Sequence, residues 1–148
     1  DTSVIGGCFD EEFAEWSNKL FEEFISRKKI AVVSDIVYQE LTDAPLYVQN
    51  KINEIPKDNL EMLKKDAESM FLANKYIDVQ VISPKYYDDA MHIALATINK
   101  VDVLVSWNFK HIVKYEKIMK YNSLNLMFGY KPLEIRNPKE VVSDEEEI

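Results

Sequence analysis

Asp1, Glu40, Asp89 and Asn108 are the positions whose types and placement suit chemistry. Glu40 lies one to two helical turns beyond an aliphatic run that closes at Val33, and Asn108 follows a second run that closes at Ser106. Asp89 falls in the second turn of a helix opened by Ser83-Pro84. There it shares a face with His92, Ile93 and Ala96 through 3- and 4-residue steps. Ile93 and Ala96 should point into the core, which draws Asp89 toward the interior edge. An isolated buried carboxylate is costly, so such a group needs a partner. A hard divalent cation held by oxygen ligands is one partner. A surface lysine or plain solvation is the alternative, since 26 acidic residues will place several near strand ends by chance.

The elements that position these residues can be read from apolar periodicity and punctuation. Asp10 is placed to cap a helix running to Arg27, with Phe13, Trp16, Leu20 and Phe24 on one stripe. Ile30–Val33 reads as a buried strand, and Ser34 as the cap of a helix over 35–44. Residues 46–55 read as a short helix, and Pro56 as the first turn of a longer one reaching Asn74. Residues 77–82 suggest a short edge strand or an extended segment. Ser83-Pro84 opens a helix to Ile98, with Asn99 as its C-cap. A strand over 101–106, a helix over 115–128 ending at Gly129, and a short strand over 133–136 follow. Helices alternating with aliphatic strands predict an α/β domain around a parallel sheet, with ligands beyond the carboxyl ends of the strands.

Composition narrows the function classes. At 148 residues the chain suits one domain, expected over 1–142 with an acidic tail at 143–148. No apolar run approaches the roughly 20 residues of a transmembrane helix, which argues against a membrane protein. One cysteine, Cys8, excludes an internal disulfide framework and suits a reducing, cytoplasmic setting. Three glycines cannot supply a phosphate-cradling loop. The net charge of −8 argues against a dedicated nucleic-acid binder, which normally carries a basic stripe. It suits a divalent cation or a basic partner better. Lys110, Lys114, Lys117 and Lys120 are spaced to form one basic face on a helix, which would supply an RNA contact. A solvated helix face is the equal alternative.

Three segments together resemble the PIN-domain family, the fold of VapC-type ribonuclease toxins. Asp1-Thr2-Ser3-Val4-Ile5 is similar to the family's opening turn after its first strand. Val32 to Leu41 resembles its strand–serine–helix segment, with a glutamate six residues after the serine. Asp89-Ala90-Met91-His92-Ile93-Ala94, followed by Asp102 to Asn108, resembles its D-A-x-x-x-A and D-x-L-x-T/S-x-D arrangement. Order and spacing match over essentially the whole chain.

The resemblance implies a three-layer α/β/α domain around a central parallel sheet. It implies an endoribonuclease that uses Mg²⁺ or Mn²⁺ to hydrolyse RNA phosphodiesters, expected as the toxin of a toxin–antitoxin pair with an antitoxin partner and a homodimeric state. Asp1, Glu40 and Asp89 fall on its metal-binding carboxylates, and Ser106 on its active-site Thr/Ser. Asn108 falls on the fourth acidic position and departs from it. An amide can ligate through its oxygen but brings no negative charge, which weighs against a second metal. The family's opening aspartate also follows a central strand, so an aliphatic segment upstream of Asp1 is expected.

Two rival functions stand beside this one. A catalytically weak PIN-like domain would act by binding RNA or a protein, a reading that Asn108 and the acidic charge favour. An aspartate-nucleophile phosphatase of the haloacid-dehalogenase type fits Asp1-Thr2-Ser3 superficially, but that mechanism wants a second aspartate where Ser3 stands. Of the remaining residues, His92 is expected to be a satisfied packing residue more often than a functional one. His111 would line the pocket mouth or brace its loop. Cys8 reads as a packed residue, and Trp16 and Trp107 as core or interface residues, with base stacking by Trp107 the minor alternative.

Overall fold

The computed structural model describes residues 1–143, so the expected acidic tail lies outside the described residues except for Ser143. The chain is a mixed α/β fold, mostly helical, with short parallel strand pairs. It opens with α1 (Thr2–Gly7), capped by the Asp1 carboxylate, which accepts from the Ser3 amide. α2 (Ala14–Ile25) begins later than the periodicity suggests. Asp10 holds the preceding turn instead, its carboxylate accepting from the Glu12 amide at 2.8 Å. β1 (Ala31–Ser34) leads directly into α3 (Asp35–Leu41), and α4 (Leu46–Gln49) runs on into a 3₁₀ turn over Asn50–Glu54.

The long helix expected from Pro56 to Asn74 is replaced by three pieces. A 3₁₀ turn (Lys57–Asn59) feeds β2 (Leu60–Leu63), and α5 (Ala67–Asp78) follows. Two local devices decide this. β2 pairs parallel with β1, Ala31 opposite Leu60. Asp66 and Ser69 then form a reciprocal capping box that starts a new helix. The edge strand expected at 77–82 is also absent. Ile77 and Asp78 end α5, and Gln80 takes a positive φ of 63°. The Val81 amide closes back on the Tyr76 carbonyl at 3.0 Å and the Gln80 amide on that of Ile77 at 2.9 Å, the Schellman pattern.

Ser83-Pro84 starts a 3₁₀ turn (Pro84–Tyr86), and α6 (Tyr87–Ile98) continues it with Asn99 as C-cap, as the sequence predicts. β3 (Leu104–Val105) is shorter than expected and pairs parallel with β4 (Ile135–Arg136). Between them α7 (Tyr115–Met127) ends at Gly129, whose φ of 86° suits a residue without a Cβ. α8 (Pro138–Val141) is capped by an Asn137–Glu140 box.

The central parallel sheet expected from the sequence is present as two separate pairs, β1–β2 and β3–β4. Each pair carries its own core. One gathers α5, α6, α7 and β3–β4 around Leu72, Tyr76, Met91, Ile93, Tyr121 and Ile135. The other gathers α1–α4 and β1 around Val4, Leu20, Phe21, Val37, Ile52 and Trp107.

Candidate functional site

The five residues singled out from the sequence come from α1, α3, α6 and the β3 end, and they lie in one hydrogen-bonded neighbourhood. Asp1 anchors one side of it. Its carboxylate accepts from Ser106 Oγ at 2.8 Å, Ser3 Oγ at 2.6 Å and the Ser3 amide at 3.2 Å. The backbone amides of Trp107 and Asn108 then donate to Ser3 Oγ and Ser106 Oγ, each at 2.9 Å. The segment after β3 is thereby tied to the start of α1, which is why residues over a hundred positions apart meet.

Glu40 forms the second side. Thr2 Oγ1 donates to Glu40 Oε1 at 2.6 Å, and His92 Nε2 lies 2.5 Å from the same oxygen. Burial alone would raise the Glu40 carboxyl. The hydrogen bond and charge of His92, with the Thr2 hydroxyl, outweigh burial and hold it below the ordinary carboxylate range. His92 is almost fully buried, so it both packs and orients Glu40.

Asp89 forms the third side. Its carboxyl is pushed up by burial, against a lowering by His92, and the Glu40 charge pushes it up further. Two carboxylates one helix apart are thus driven in opposite directions. The His92 hydrogen bond goes to Glu40, while Asp89 meets the Asn108 amide instead, Nδ2 donating to Asp89 Oδ2 at 3.3 Å. Asn108 Oδ1 points the other way and accepts from the Lys110 and His111 amides at 3.2 and 2.9 Å. At this fourth position the amide therefore offers Asp89 a donor, and its oxygen is spent on the loop.

Oxygen donors of this kind suit a hard cation such as Mg²⁺. Among the described residues, however, no three His, Cys, Asp or Glu side chains form a group that could hold a metal ion. Both Asp1 carboxylate oxygens and Glu40 Oε1 already accept hydrogen bonds, from Ser3, Ser106, Thr2 and His92. A cation at this site would have to displace or share those donors.

A cleft of about 280 Å³ opens beside the carboxylates, lined by Glu40, Lys85, Tyr86, Tyr87, Asp88 and Asp89. The His111 ring stacks on Tyr86 with centroids 3.9 Å apart, which places it at the cleft rim and braces the loop. Burial and then the charges of Lys110, Lys117 and Lys114 lower the His111 pKa. The four-lysine face is only partly realised. Lys110, Lys114 and Lys120 are exposed, but the Lys117 ammonium turns down and donates to the Val81 carbonyl.

Trp107 is a core residue. It is buried, stacked on Phe13 at 4.3 Å, and donates to Ser17 Oγ at 2.8 Å. Trp16 packs at the edge of the same core, under Lys19 and Lys139. Cys8 is buried, and burial pushes its thiol up to about 11, so it is no nucleophile. Sequence reasoning passed over Thr2 as a partner of Glu40. Its signal was only its adjacency to Asp1; the contact with Glu40 spans 38 residues.

No family model, no curated protein and no solved structure matches this chain. No helix among the described residues is long and apolar enough to cross a membrane.

Proposed function

We propose that the chain is a PIN-like endoribonuclease that hydrolyses RNA phosphodiesters with a Mg²⁺ or Mn²⁺ ion. The observation that carries this reading is a hydrogen-bonded chain from Asp1 through Ser106 and Asn108 to Asp89, with Glu40 held nearby by Thr2 and His92, beside a cleft that Glu40 and Asp89 line. Asp1, Glu40 and Asp89 would hold the ion only after their side chains turn toward it from the arrangement described above; when bound it would supply charge neutralisation at the phosphate and a more acidic water.

The chain's own residues have distinct tasks. Ser106 and Ser3 fix both oxygens of Asp1. His92 and Thr2 hold Glu40 ionised and aimed. Asp89 is the carboxyl left with the weakest support, and its raised pKa makes it the one that gains most from a cation. Lys85 at the cleft, with the exposed Lys110 and Lys114 on the loop around His111, offers cations to an RNA backbone.

The orientation of Asn108 favours a second reading, a domain that binds RNA without cutting it. Its amide N–H₂ already quiets Asp89, and its oxygen faces the loop. One experiment separates the two. Mn²⁺ is titrated into the wild-type chain and into Asp89→Asn by calorimetry, and both are then assayed on a fluorescent single-stranded RNA. Cation binding and cleavage that both vanish in Asp89→Asn support the nuclease. RNA binding that is unchanged by Mn²⁺ and by Asp89→Asn, with no product, selects the second reading.

A further inference from the structure

Beside the carboxylates lies an aromatic pair that the chemistry above does not use. The His111 ring covers the Tyr86 ring, with centroids 3.9 Å and planes 31° apart. Tyr86 is half-buried, packs against the core around α5, α6 and α7, and lines the cleft. It is a fixed floor for the histidine. The backbone of His111 is held as firmly. Its amide donates to Asn108 Oδ1 at 2.9 Å, and its carbonyl accepts from Tyr121 Oη at 2.8 Å. Tyr121 is itself fully buried. The ring is only partly covered, and among the described residues neither of its nitrogens makes a hydrogen bond.

A surface ring anchored at its backbone and on one face, with its polar atoms unpartnered, is prearranged for a ligand that stacks, because little freedom is left to lose on binding. Cations surround it. The charges of Lys110 and Lys114 act on the His111 ring, and the Lys85 ammonium lies over Tyr86, 5.6 Å from the ring centre. Among the described residues Lys85, Lys110 and Lys114 form no ion pair. In a chain of net charge −8, three unpaired cations around one aromatic stack are a local exception that favours an anion there. A flat aromatic group that carries phosphates is the ligand class that uses both features, and a nucleotide is that class.

We propose that the His111 ring, floored by Tyr86, is the stacking seat for one unpaired nucleobase of an RNA strand whose flanking phosphates lie on Lys85, Lys110 and Lys114. The assignment rests on the reading of the neighbouring site as one that takes RNA, and it names what that RNA must offer, a base with a free face. Inside a duplex each base already has a neighbour on both faces, so a paired strand cannot use the seat. Stacking accepts any base through its π face, so the seat selects unpaired over paired RNA rather than one sequence. Asn108 thereby gains a task. Its Nδ2 donates to Asp89 while its Oδ1 holds the His111 amide, so one side chain sets the spacing between the carboxylates and the seated base.

The test uses the full chain and end-labelled RNA, with binding read by anisotropy in millimolar Ca²⁺ so that the carboxylates are neutralised. The probes are octa-adenylate, an abasic octamer with the same backbone, and octa-adenylate annealed to its complement. The wild-type chain should prefer octa-adenylate to the abasic octamer. His111→Ala should shrink that preference by about five- to a hundredfold, and His111→Phe should restore it. Affinity for the annealed duplex should be the same in all three chains. If His111→Ala weakens the abasic octamer as much as octa-adenylate, the histidine only braces its loop and the proposal is overturned. Equal affinity of wild type and His111→Ala for octa-adenylate overturns it as well, while RNA binding stands. Adenosine monophosphate that binds as tightly as the octamer overturns it in favour of a free nucleotide. A wild-type chain that binds none of the three probes overturns the RNA reading of the site, and the stacking seat with it.

Discussion

The two cores use the same aliphatic residues but close differently. Around α5, α6 and α7, side chains such as Leu72, Tyr76, Met91 and Tyr121 are fully sealed. The polar groups there satisfy one another: Tyr76 donates to Asn125 Oδ1 at 2.5 Å, and Asn125 donates to Thr97 Oγ1 at 3.3 Å. The core around α1–α4 borders a cavity of about 590 Å³, and Leu20 and Ile52, though buried, line it. A helix satisfies its own backbone, so helices can seal a core alone. A two-stranded pair leaves an outer edge on each strand, which must be paired, covered or solvated.

The largest effect expected from this contrast is on stability. Leu72→Ala opens a cavity in the sealed core and should cost about 3–5 kcal/mol by urea denaturation. Leu20→Ala enlarges a space already present and should cost nearer about 2 kcal/mol. Equal costs would show that the two cores are equally closed.

Next comes the seam where α1 meets the β3 end. A Cβ built on Gly7 would lie 2.6 Å from Ser17 Oγ and 2.7 Å from Trp107 Nε1, atoms that are bonded to each other. Gly7→Ala should therefore cost about 1–3 kcal/mol and weaken the Asp1–Ser106 link, read by denaturation and by RNA cleavage together. His92→Gln should lower Mn²⁺ affinity by about ten- to a hundredfold while the fold persists, because the His92 side chain hydrogen-bonds Glu40 and orients it.

The two carboxyls predict opposite pH responses. Glu40 is depressed in the folded chain, so it binds fewer protons there than when unfolded. Its contribution is present above the ordinary carboxylate range and is lost as pH falls through its folded pKa. Asp89 is raised, so the folded state binds more protons. It supports the fold at low pH and loses that support as pH climbs through and above the ordinary carboxylate range. Without metal, Asp89→Asn should therefore raise Tm at pH 7 and leave it nearly unchanged at pH 3. A fall in Tm at pH 7 would show that the Asp89 charge is structurally satisfied. The smallest effect belongs to Cys8, whose thiol should react with a disulfide reagent at pH 8 far more slowly than in urea.

Legibility followed the range of the forces involved. Asn99 and Gly129 as helix ends and β1 running into α3 could be read because caps and apolar runs act over a few residues. The Pro56 helix was misread because Leu60 and Leu63 keep the 3-residue step of a helix, whereas in β2 they fall on opposite faces and pack against different cores. Pairing with Ala31–Ser34, some thirty residues away, decided between them. At the site the types and spacing of Asp1, Glu40, Asp89, Ser106 and Asn108 were legible. The bonds of Thr2 and His92 to Glu40, and the outward turn of the Asn108 oxygen, were not.

The sequence by itself determined which residues could do chemistry and where most helices stop, since propensity and capping are local. Tertiary structure alone decided which carboxyl is held below its ordinary range and which above it, because burial and the hydrogen bond of His92 to Glu40 depend on elements far apart in sequence. It alone also decided that the strands pair two by two, β1 with β2 and β3 with β4, because pairing joins residues far apart in sequence.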